Sequence, residues 1–190
     1  SDILSKLGPV DMTDAFLLRF LRSQKYRMPD SLAKLERYAS FAREHNLENI
    51  PDNDPAVLEV MRWSVLQTDW NRRSKQGHLI MYMNGALFHK LVHGDPDRTE
   101  RALWWLFERA LMDPEIQRTG FVFILDLTKW SLSLRDLGKA VALEKRILHL
   151  VQGVLPIRLA GFYILNEGWL FDTLISIVKV FMVRANTIKR

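Results

Sequence analysis

The chain has 190 residues and contains no cysteine. Without cysteine there can be no disulfide framework, no cysteine–zinc site and no thiol nucleophile. Glycine motifs that bind phosphates are missing as well. No G-x-G-x-x-G follows a predicted strand, and Gly138-Lys139 lacks the upstream glycine and the following hydroxyl residue of a P-loop. Disulfide-stabilised scaffolds are therefore excluded, and nothing in the sequence indicates a nucleotide-binding enzyme.

Side chains that could carry other chemistry are few. The histidines are His45, His78, His89, His93 and His149. Their spacing is not that of metal ligands, and we expect each to be structural or solvated. Asp126 ends a predicted strand, but the sequence offers this carboxylate no partner base or nucleophile, so a capping or turn role is favoured over catalysis. We expect no enzymatic activity, no metal site and no cofactor.

The excess of basic side chains is modest, with a net charge of +5. Basic residues gather within 19–27, 72–75 and 184–190. A solvated face is the simplest explanation, attraction to anionic lipid the next, and nucleic acid a distant third, because no DNA- or RNA-binding motif accompanies the charge. We therefore expect no nucleic-acid partner.

A hydrophobic run long enough to span a bilayer is also missing. The longest strongly apolar stretch, residues 169–183, is too short for that and carries Asp172 and Lys179. It could lie on a membrane but not cross one. No charged-then-apolar leader precedes Asp11, so a cytoplasmic protein is the default expectation.

Hydrophobic residues make up 48% of the chain, which is enough for one good-sized core with an appendage. Asp11 or Thr13 is expected to cap a short first helix, and Pro29 to begin a second that stops near Asn46. Three further helices are predicted from their capping residues. They run from Asp54-Pro55 to about Arg62, from Asp97 to about Met112, and from Ser133 to Gln152.

Strands are predicted from short runs of β-branched and aromatic residues. They cover residues 63–66, 78–83, 120–127 and 159–166, with a basic loop, residues 69–77, between the first two. The last two are almost unbroken apolar runs and are expected to be buried on both faces. Strands that alternate with long helices indicate an α/β domain behind an all-helical N-terminal lobe.

The segment Trp169–Met182 has two apolar stripes where a surface helix needs one. At 100° per residue, one stripe holds Leu170, Leu174, Ile177 and Phe181, and the other holds Phe171, Ile175, Val178 and Met182. An exposed apolar stripe of this size marks an interaction site.

Motifs along nearly the whole chain resemble those of the CRAL-TRIO (Sec14-like) lipid-binding proteins. They are Asp14-Ala15-Phe16-Leu17-Leu18-Arg19-Phe20-Leu21-Arg22, Gln117-Arg118-Thr119-Gly120 running into Phe123–Leu127, Leu155-Pro156-Ile157-Arg158-Leu159, and Ile164–Phe171 followed by Val178–Phe181. In detail they are most similar to the branch that contains α-tocopherol transfer protein and cellular retinaldehyde-binding protein.

The resemblance implies an α/β fold. A helical N-terminal lobe, residues 11–47, would pack on a CRAL-TRIO-like lipid-binding domain, residues 55–190, in which a mixed β-sheet and flanking helices enclose a hydrophobic ligand pocket. Because the family continues into another strand and a tail, a chain truncated at its C-terminus is expected. The implied function is intracellular binding and transfer or presentation of a tocopherol-, retinoid- or phospholipid-like molecule. A gate helix would dock transiently on phosphoinositide-containing membranes.

Three sets of residues are expected to take the family's roles, some by position in the motifs and others by their place on or near the stripes of the gate segment. The ligand pocket is implied at Leu103, Phe107, Phe121, Phe123, Leu125, Ile147, Leu150, Val151, Leu155, Ile157, Phe162, Phe171, Ile175 and Val178. The membrane-facing side of the gate is implied at Leu170, Leu174 and Ile177, and phosphoinositide headgroup contacts at Arg158, Lys179, Arg184, Lys189 and Arg190. Plain core packing is an equal alternative for each pocket residue, since cores and pocket walls use the same side chains.

Departures from the family pattern keep a second function open. Leu103 and Phe107 replace serines of the tocopherol-binding relative, and Phe121 and Phe123 replace the hydroxyl pair with which yeast-type carriers hold choline. The alternative is a non-transferring module that sits on membranes or proteins, its pocket filled by side chains. A hydrolase on an α/β scaffold is a distant third.

Overall fold

A computed structural model describes residues 13–133 and 135–166. In chain order the helices are α1 (Asp14–Ser23), α2 (Met28–Glu44), α3 (Pro55–Arg62), α4 (Phe88–His93), α5 (Pro96–Ala110), α6 (Pro114–Thr119) and α7 (Leu137–Leu148), and the strands are β1 (Leu66–Arg73), β2 (Leu79–Asn84), β3 (Phe121–Asp126) and β4 (Leu159–Leu165). A 3-10 turn, Gly85–Leu87, precedes α4, and a π-helical turn, His149–Val154, extends α7.

The four strands form one mixed sheet in the order β1-β2-β3-β4. β1 pairs antiparallel with β2, whereas β2, β3 and β4 are parallel. Helices lie between the parallel strands in the chain, as the crossover connection of a parallel pair requires. The alternating pattern in the sequence therefore predicted the α/β class correctly. Helices α4, α5 and α7 contact one another, and the sheet face that carries Met81 and Phe123 shares a buried core with α5.

The N-terminal helices pack on the same core. Thr13, one of the two predicted caps, accepts a hydrogen bond from the backbone N–H of Phe16 at 3.3 Å. The Phe20 and Tyr38 rings meet edge to face at 5.3 Å, and Tyr38 lies 4.7 Å from the Trp104 ring of α5. Aromatic packing of this kind joins α1 and α2 to α5. The division between residues 11–47 and 55–190 stays a prediction.

Ion pairs reinforce this junction. His45, which ends α2, lies 2.6 Å from Glu100 on α5, and Arg146 on α7 donates to the same buried carboxylate at 3.2 Å. Arg19 on α1 donates to Glu108 on α5 at 2.9 Å, and burial raises the pKa of Glu108. A buried carboxylate needs such partners to remain charged.

Asp-Pro pairs begin three of the helices. Asp54, Asp95 and Asp113 each accept a hydrogen bond from a backbone N–H of the first turn, and proline follows in each case. This arrangement satisfies donors that a helix start leaves free. The predicted start of α5 at Asp97 was wrong. Asp97 and Glu100 match the spacing of a capping box, but Asp95-Pro96 provides the cap two residues earlier.

The prediction for the first strand was also wrong. Trp63 closes α3, and Ser64 has a φ of 57°, which turns the chain. β1 begins at Leu66 and runs through most of the predicted basic loop to Arg73. It is an outer strand with a bulge between Thr68 and Arg73, and its side chains are mostly exposed. A polar strand of this kind lacks the alternation that reveals strands in a sequence.

Two other elements, α7 and β4, differ from expectation. Ser133 does not cap α7: its hydroxyl donates to Asp136 at 2.5 Å in the turn before the helix, which begins at Leu137. α7 changes to a π-helical turn after Leu148, short of the predicted Gln152. β4 is not buried on both faces, because it is the other outer strand within the described residues and its Tyr163 is 39% exposed. The sequence also did not reveal the short helices α4 and α6.

Candidate ligand-binding cleft

An apolar cleft lies between one face of the sheet and the helices that cover it. Its lining consists of Val60, Met61, Val65, Leu66, Met83, Leu91, Leu103, Phe107, Phe123, Ile147 and Val151. No lining side chain carries a charge or a hydrogen-bonding group other than the methionine sulfurs. The cavity is small, about 40 Å³, which is room for roughly three water molecules. A lipid could enter only if a wall moved outward.

Helical spacing explains how the covering side chains meet. Leu103 and Phe107 lie four residues apart on α5, and Ile147 and Val151 lie four residues apart across the junction of α7 and the π-helical turn. Residues at this spacing project from one face of a helix. Phe123 on β3 completes the floor, with its ring centroid 6.1 Å from that of Phe107.

Five of the residues predicted for the pocket line this cleft: Leu103, Phe107, Phe123, Ile147 and Val151. Four others, Phe121, Leu150, Leu155 and Ile157, are buried in the main core beside it. Phe162 packs against that core with its ring 6.4 Å from Phe123, and Leu125 packs in a separate small cluster around Leu127. Phe171, Ile175 and Val178 lie outside the described residues, and ligand contact for the whole set stays a prediction.

Six lining residues were not predicted: Val60, Met61, Val65, Leu66, Met83 and Leu91. They come from α3, from α4 and from the hairpin of β1 and β2 with the turn that precedes it. Each is an ordinary apolar residue at a position where core packing would be expected. Only the tertiary arrangement places them around a space, so the sequence held no signal for them.

Asp126 lies at the carboxyl end of β3 in a polar network. Its carboxylate accepts from the Tyr82 hydroxyl at 2.6 Å, from Asn166 Nδ2 at 2.9 Å and from the backbone N–H of Thr128 at 2.9 Å. The bond from Tyr82, then those from Asn166 and Thr128, hold the pKa of Asp126 far below its usual range. Asp126 is thus a fully partnered turn residue, in the role that the sequence favoured.

Arg158 lies at the opposite end of the sheet. Its side chain is exposed and donates to the carbonyl oxygen of Arg118 at 3.0 Å. Gly120 lies against the backbone of Arg158 and has a φ of 88°. A Cβ at this position would lie 2.4 Å from the Arg158 carbonyl oxygen, so glycine allows the two backbone segments to approach closely. The remaining predicted headgroup residues and the gate residues lie outside the described residues. They are Lys179, Arg184, Lys189 and Arg190 for the headgroup, and Leu170, Leu174 and Ile177 for the gate.

The model of the CRAL/TRIO domain family matches residues 68–190, which include β2, β3, α5 and most of the cleft. The chain belongs to the CRAL-TRIO family, a family of lipid-binding proteins. Within the described residues, no helix is long and apolar enough to cross a bilayer.

Individual relatives agree with this assignment. The chain is 28% identical over 183 residues to clavesin-1 of Rattus norvegicus, covering 93% of this chain and 49% of clavesin-1. It is 25% identical over 191 residues to patellin-6 of Arabidopsis thaliana, covering 95% of this chain and 45% of patellin-6. The chain therefore spans about half the length of these relatives.

A solved structure shares the fold. The crystal structure of Sfh5 matches with a TM-score of 0.59 at 15% identity, over 88% of this chain and 59% of that one. The expected kinship with the tocopherol- and retinaldehyde-binding branch finds no support, because the similar proteins are clavesins and a patellin. The motifs that carry the family resemblance do not separate its branches.

Proposed function

We propose that this chain binds one hydrophobic small molecule in the cleft and transfers or presents it at an anionic membrane. The observation that carries the proposal is the wholly apolar lining of a cleft between sheet and helices in a CRAL-TRIO domain. A hydrophobic ligand that binds to such a lining removes apolar surface from water, which favours binding. A polar ligand would find few hydrogen-bond partners there. The proposed activity is binding without covalent chemistry, in the cytoplasm and transiently on membranes.

The proposed ligand is slim and weakly polar. Leu103 and Phe107, which are 6% and 1% exposed, give a ligand hydroxyl no partner on α5. A buried polar group without a partner costs roughly 1–3 kcal/mol. This argues against tocopherol and phosphatidylcholine, and favours a narrow hydrocarbon chain or polyene.

The proposed membrane contact involves Arg158 together with the C-terminal segment. Arg158 is exposed at one end of the sheet, and its bond to the Arg118 carbonyl uses Nη1, so Nη2 can meet a headgroup. Lys179, Arg184, Lys189 and Arg190 would add positive charge, and Leu170, Leu174 and Ile177 would enter the bilayer surface. Basic residues near an anionic leaflet contribute about 1 kcal/mol each.

A second candidate is a module whose cleft is filled by its own side chains. Phe107 packs edge to face on Phe121 at 5.6 Å and lies 6.1 Å from Phe123, and the remaining cavity is about 40 Å³. Such a protein would bind membranes or other proteins through its surface and carry no lipid.

Mass spectrometry of a lipid extract from the purified protein separates the two candidates. A carrier should co-purify with a lipid at close to one molecule per chain, and the module should not. The presence of a stoichiometric lipid that heat denaturation releases would support the first proposal. A lipid-free protein that also takes up no hydrophobic probe would establish the second.

A further inference from the structure

The small cavity raises the question of which wall moves to admit a ligand. The strand walls are held by the hydrogen bonds of the sheet ladders. α5 is held by eight buried residues along its length. The other helical walls are α3 and α4, which supply Val60, Met61 and Leu91, and the end of α7, which supplies Ile147 and Val151. The end of α7 differs from the others because Val151 lies in the π-helical turn. Turns of this type are uncommon and often accompany functional sites.

The π-helical turn faces the cleft on one side and the N-terminal helix α2 on the other. The Leu155 N–H bonds the Leu150 carbonyl at 2.9 Å, one residue further than in an α-helix. Val151 points to the cleft, whereas the carbonyl oxygens of Gln152 and Gly153 accept hydrogen bonds from α2. The last carbonyls of a helix have no partners within the helix, and here two of them bond a neighbouring element.

Two cations of α2 provide these bonds. Lys34 Nζ donates to the Gln152 carbonyl at 2.7 Å, and Arg37 Nε donates to the Gly153 carbonyl at 3.1 Å. Lys34 is 4% exposed. Lysine is almost never this buried, and its ammonium group here donates to a neutral carbonyl. Burial, with a smaller contribution from the charge of nearby Arg37, lowers the pKa of Lys34 to about 8.

A buried ammonium is a costly way to end a helix, because a proline or glycine turn would do so without desolvating a charge. The cations do, however, set the distance between α2 and the turn. With the turn held against α2, Val151 and Ile147 keep a fixed position relative to Leu103 and Phe107 across the cleft.

We propose that Lys34 and Arg37 are positioning residues that set the width of the cleft by holding its π-helical wall, and so limit it to ligands with one hydrocarbon chain. The inference rests on the proposed function, since it concerns which ligand the same cleft accepts. Without the hydrogen bonds from Lys34 and Arg37, the turn and Val151 shift outward. The cleft then admits a bulkier lipid with two chains.

The test compares two fluorescent probes without a charged headgroup, an NBD-labelled fatty acid methyl ester, which has one hydrocarbon chain, and an NBD-labelled ethylene glycol diester, which has two. The variants are Lys34→Met, which keeps the aliphatic stem, and Arg37→Gln at an exposed position. Lys139→Met removes a lysine from the exposed side of α7 and is the matched control. The readout is the ratio of the two dissociation constants, with melting temperature measured alongside.

The wild type should prefer the one-chain probe. Lys34→Met should change the ratio of dissociation constants in favour of the two-chain probe by on the order of tenfold. One methylene group in a hydrophobic pocket supplies discrimination of this size. Arg37→Gln should shift it in the same direction, and Lys139→Met should leave it unchanged. If Lys34→Met fails to fold, the ratio of dissociation constants measured for Arg37→Gln tests the proposal instead.

Two results would overturn the inference, and they are distinguishable. A lower melting temperature with an unchanged ratio in both variants means that the cations only stabilise the fold, while the proposed function stands. Failure of the wild type to bind either probe removes the proposed function, and the inference with it.

Discussion

The buried environment of Lys34 changes the pKa of its side chain. Its ammonium group bonds the Gln152 carbonyl inside the junction between α2 and the end of α7. Burial, with a further contribution from Arg37, lowers its pKa from 10.5 to about 8. Because the folded state disfavours the charged form, the cost is present at neutral pH and disappears as the group loses its proton.

This pKa shift predicts a pH dependence of stability. Below pH 8 the lysine is charged in both states, and between pH 8 and 10.5 the unfolded chain binds more protons than the folded one. The free energy of unfolding of the wild type, relative to Lys34→Met, should therefore rise with pH across this window, by about 3 kcal/mol at most. Denaturant unfolding of both proteins measures the difference. A difference that stays flat from pH 7 to 10 contradicts the assigned environment.

A second prediction at the scale of single residues concerns Leu103 and Phe107. Without hydroxyl groups at these positions, tocopherol and phosphatidylcholine should bind more weakly than a slim hydrocarbon ligand, by roughly 1–3 kcal/mol. Competition against a fluorescent fatty acid measures the ranking. Leu103→Ser should narrow the gap for tocopherol, whereas Leu18→Ser, at a half-buried position on α1, should not. A wild type that ranks tocopherol first would refute this account of selectivity.

Elements were predictable from sequence where local chemistry decides them. Asp54-Pro55 marked the start of α3, and the apolar run from Phe121 marked β3. Prediction failed where distant packing decides. β1 is a strand because it pairs with β2, although residues 67–73 are polar apart from Trp70 and mostly exposed. Among the described strands β4 lies at an outer position, which its apolar sequence does not reveal.

The segment Trp169–Met182 carries a prediction at the scale of an element, although it lies outside the described residues. Burying Leu170, Leu174 and Ile177 in lipid would be worth roughly 1.5–3 kcal/mol each. Leu174→Asp should therefore lower vesicle association and transfer rate while the melting temperature hardly changes. Ser176→Asp, on the polar side, adds the same charge as a control. A large fall in melting temperature for Leu174→Asp alone would mean that Leu174 belongs to the core.

At the scale of the whole molecule, sequence motifs were sufficient for the family but not for the cleft. The family model matches residues 68–190, and the α/β class was predicted correctly. The cleft needed the tertiary structure, because Val60, Met83 and Leu91 come from three elements and look like ordinary core residues. Shape arises from the packing of many elements, and no single stretch of the chain encodes it.

Membrane attraction is also a property of the whole molecule. Arg158 lies at one end of the sheet and Lys189 near the C-terminus, and both are proposed to approach the same anionic surface. The double variant Arg158→Ala, Lys189→Ala should bind phosphoinositide vesicles about thirtyfold more weakly, since each basic residue contributes about 1 kcal/mol. Vesicle sedimentation at low and high salt measures this, with Lys139→Ala on the exposed side of α7 as control. Binding that neither the double variant nor salt weakens would leave the basic residues as a solvated face.

The central claim is that the apolar cleft holds the ligand, and a blocked cleft tests it most directly. Val151→Trp places an indole in the cleft from its π-helical wall, and Ala142→Trp places one on the exposed side of α7 as control. The measurement is the amount of lipid bound per folded chain, by mass spectrometry of extracts. The account predicts near-stoichiometric lipid in the wild type and in Ala142→Trp, and little in Val151→Trp. Equal lipid in all three proteins would show that the ligand binds elsewhere.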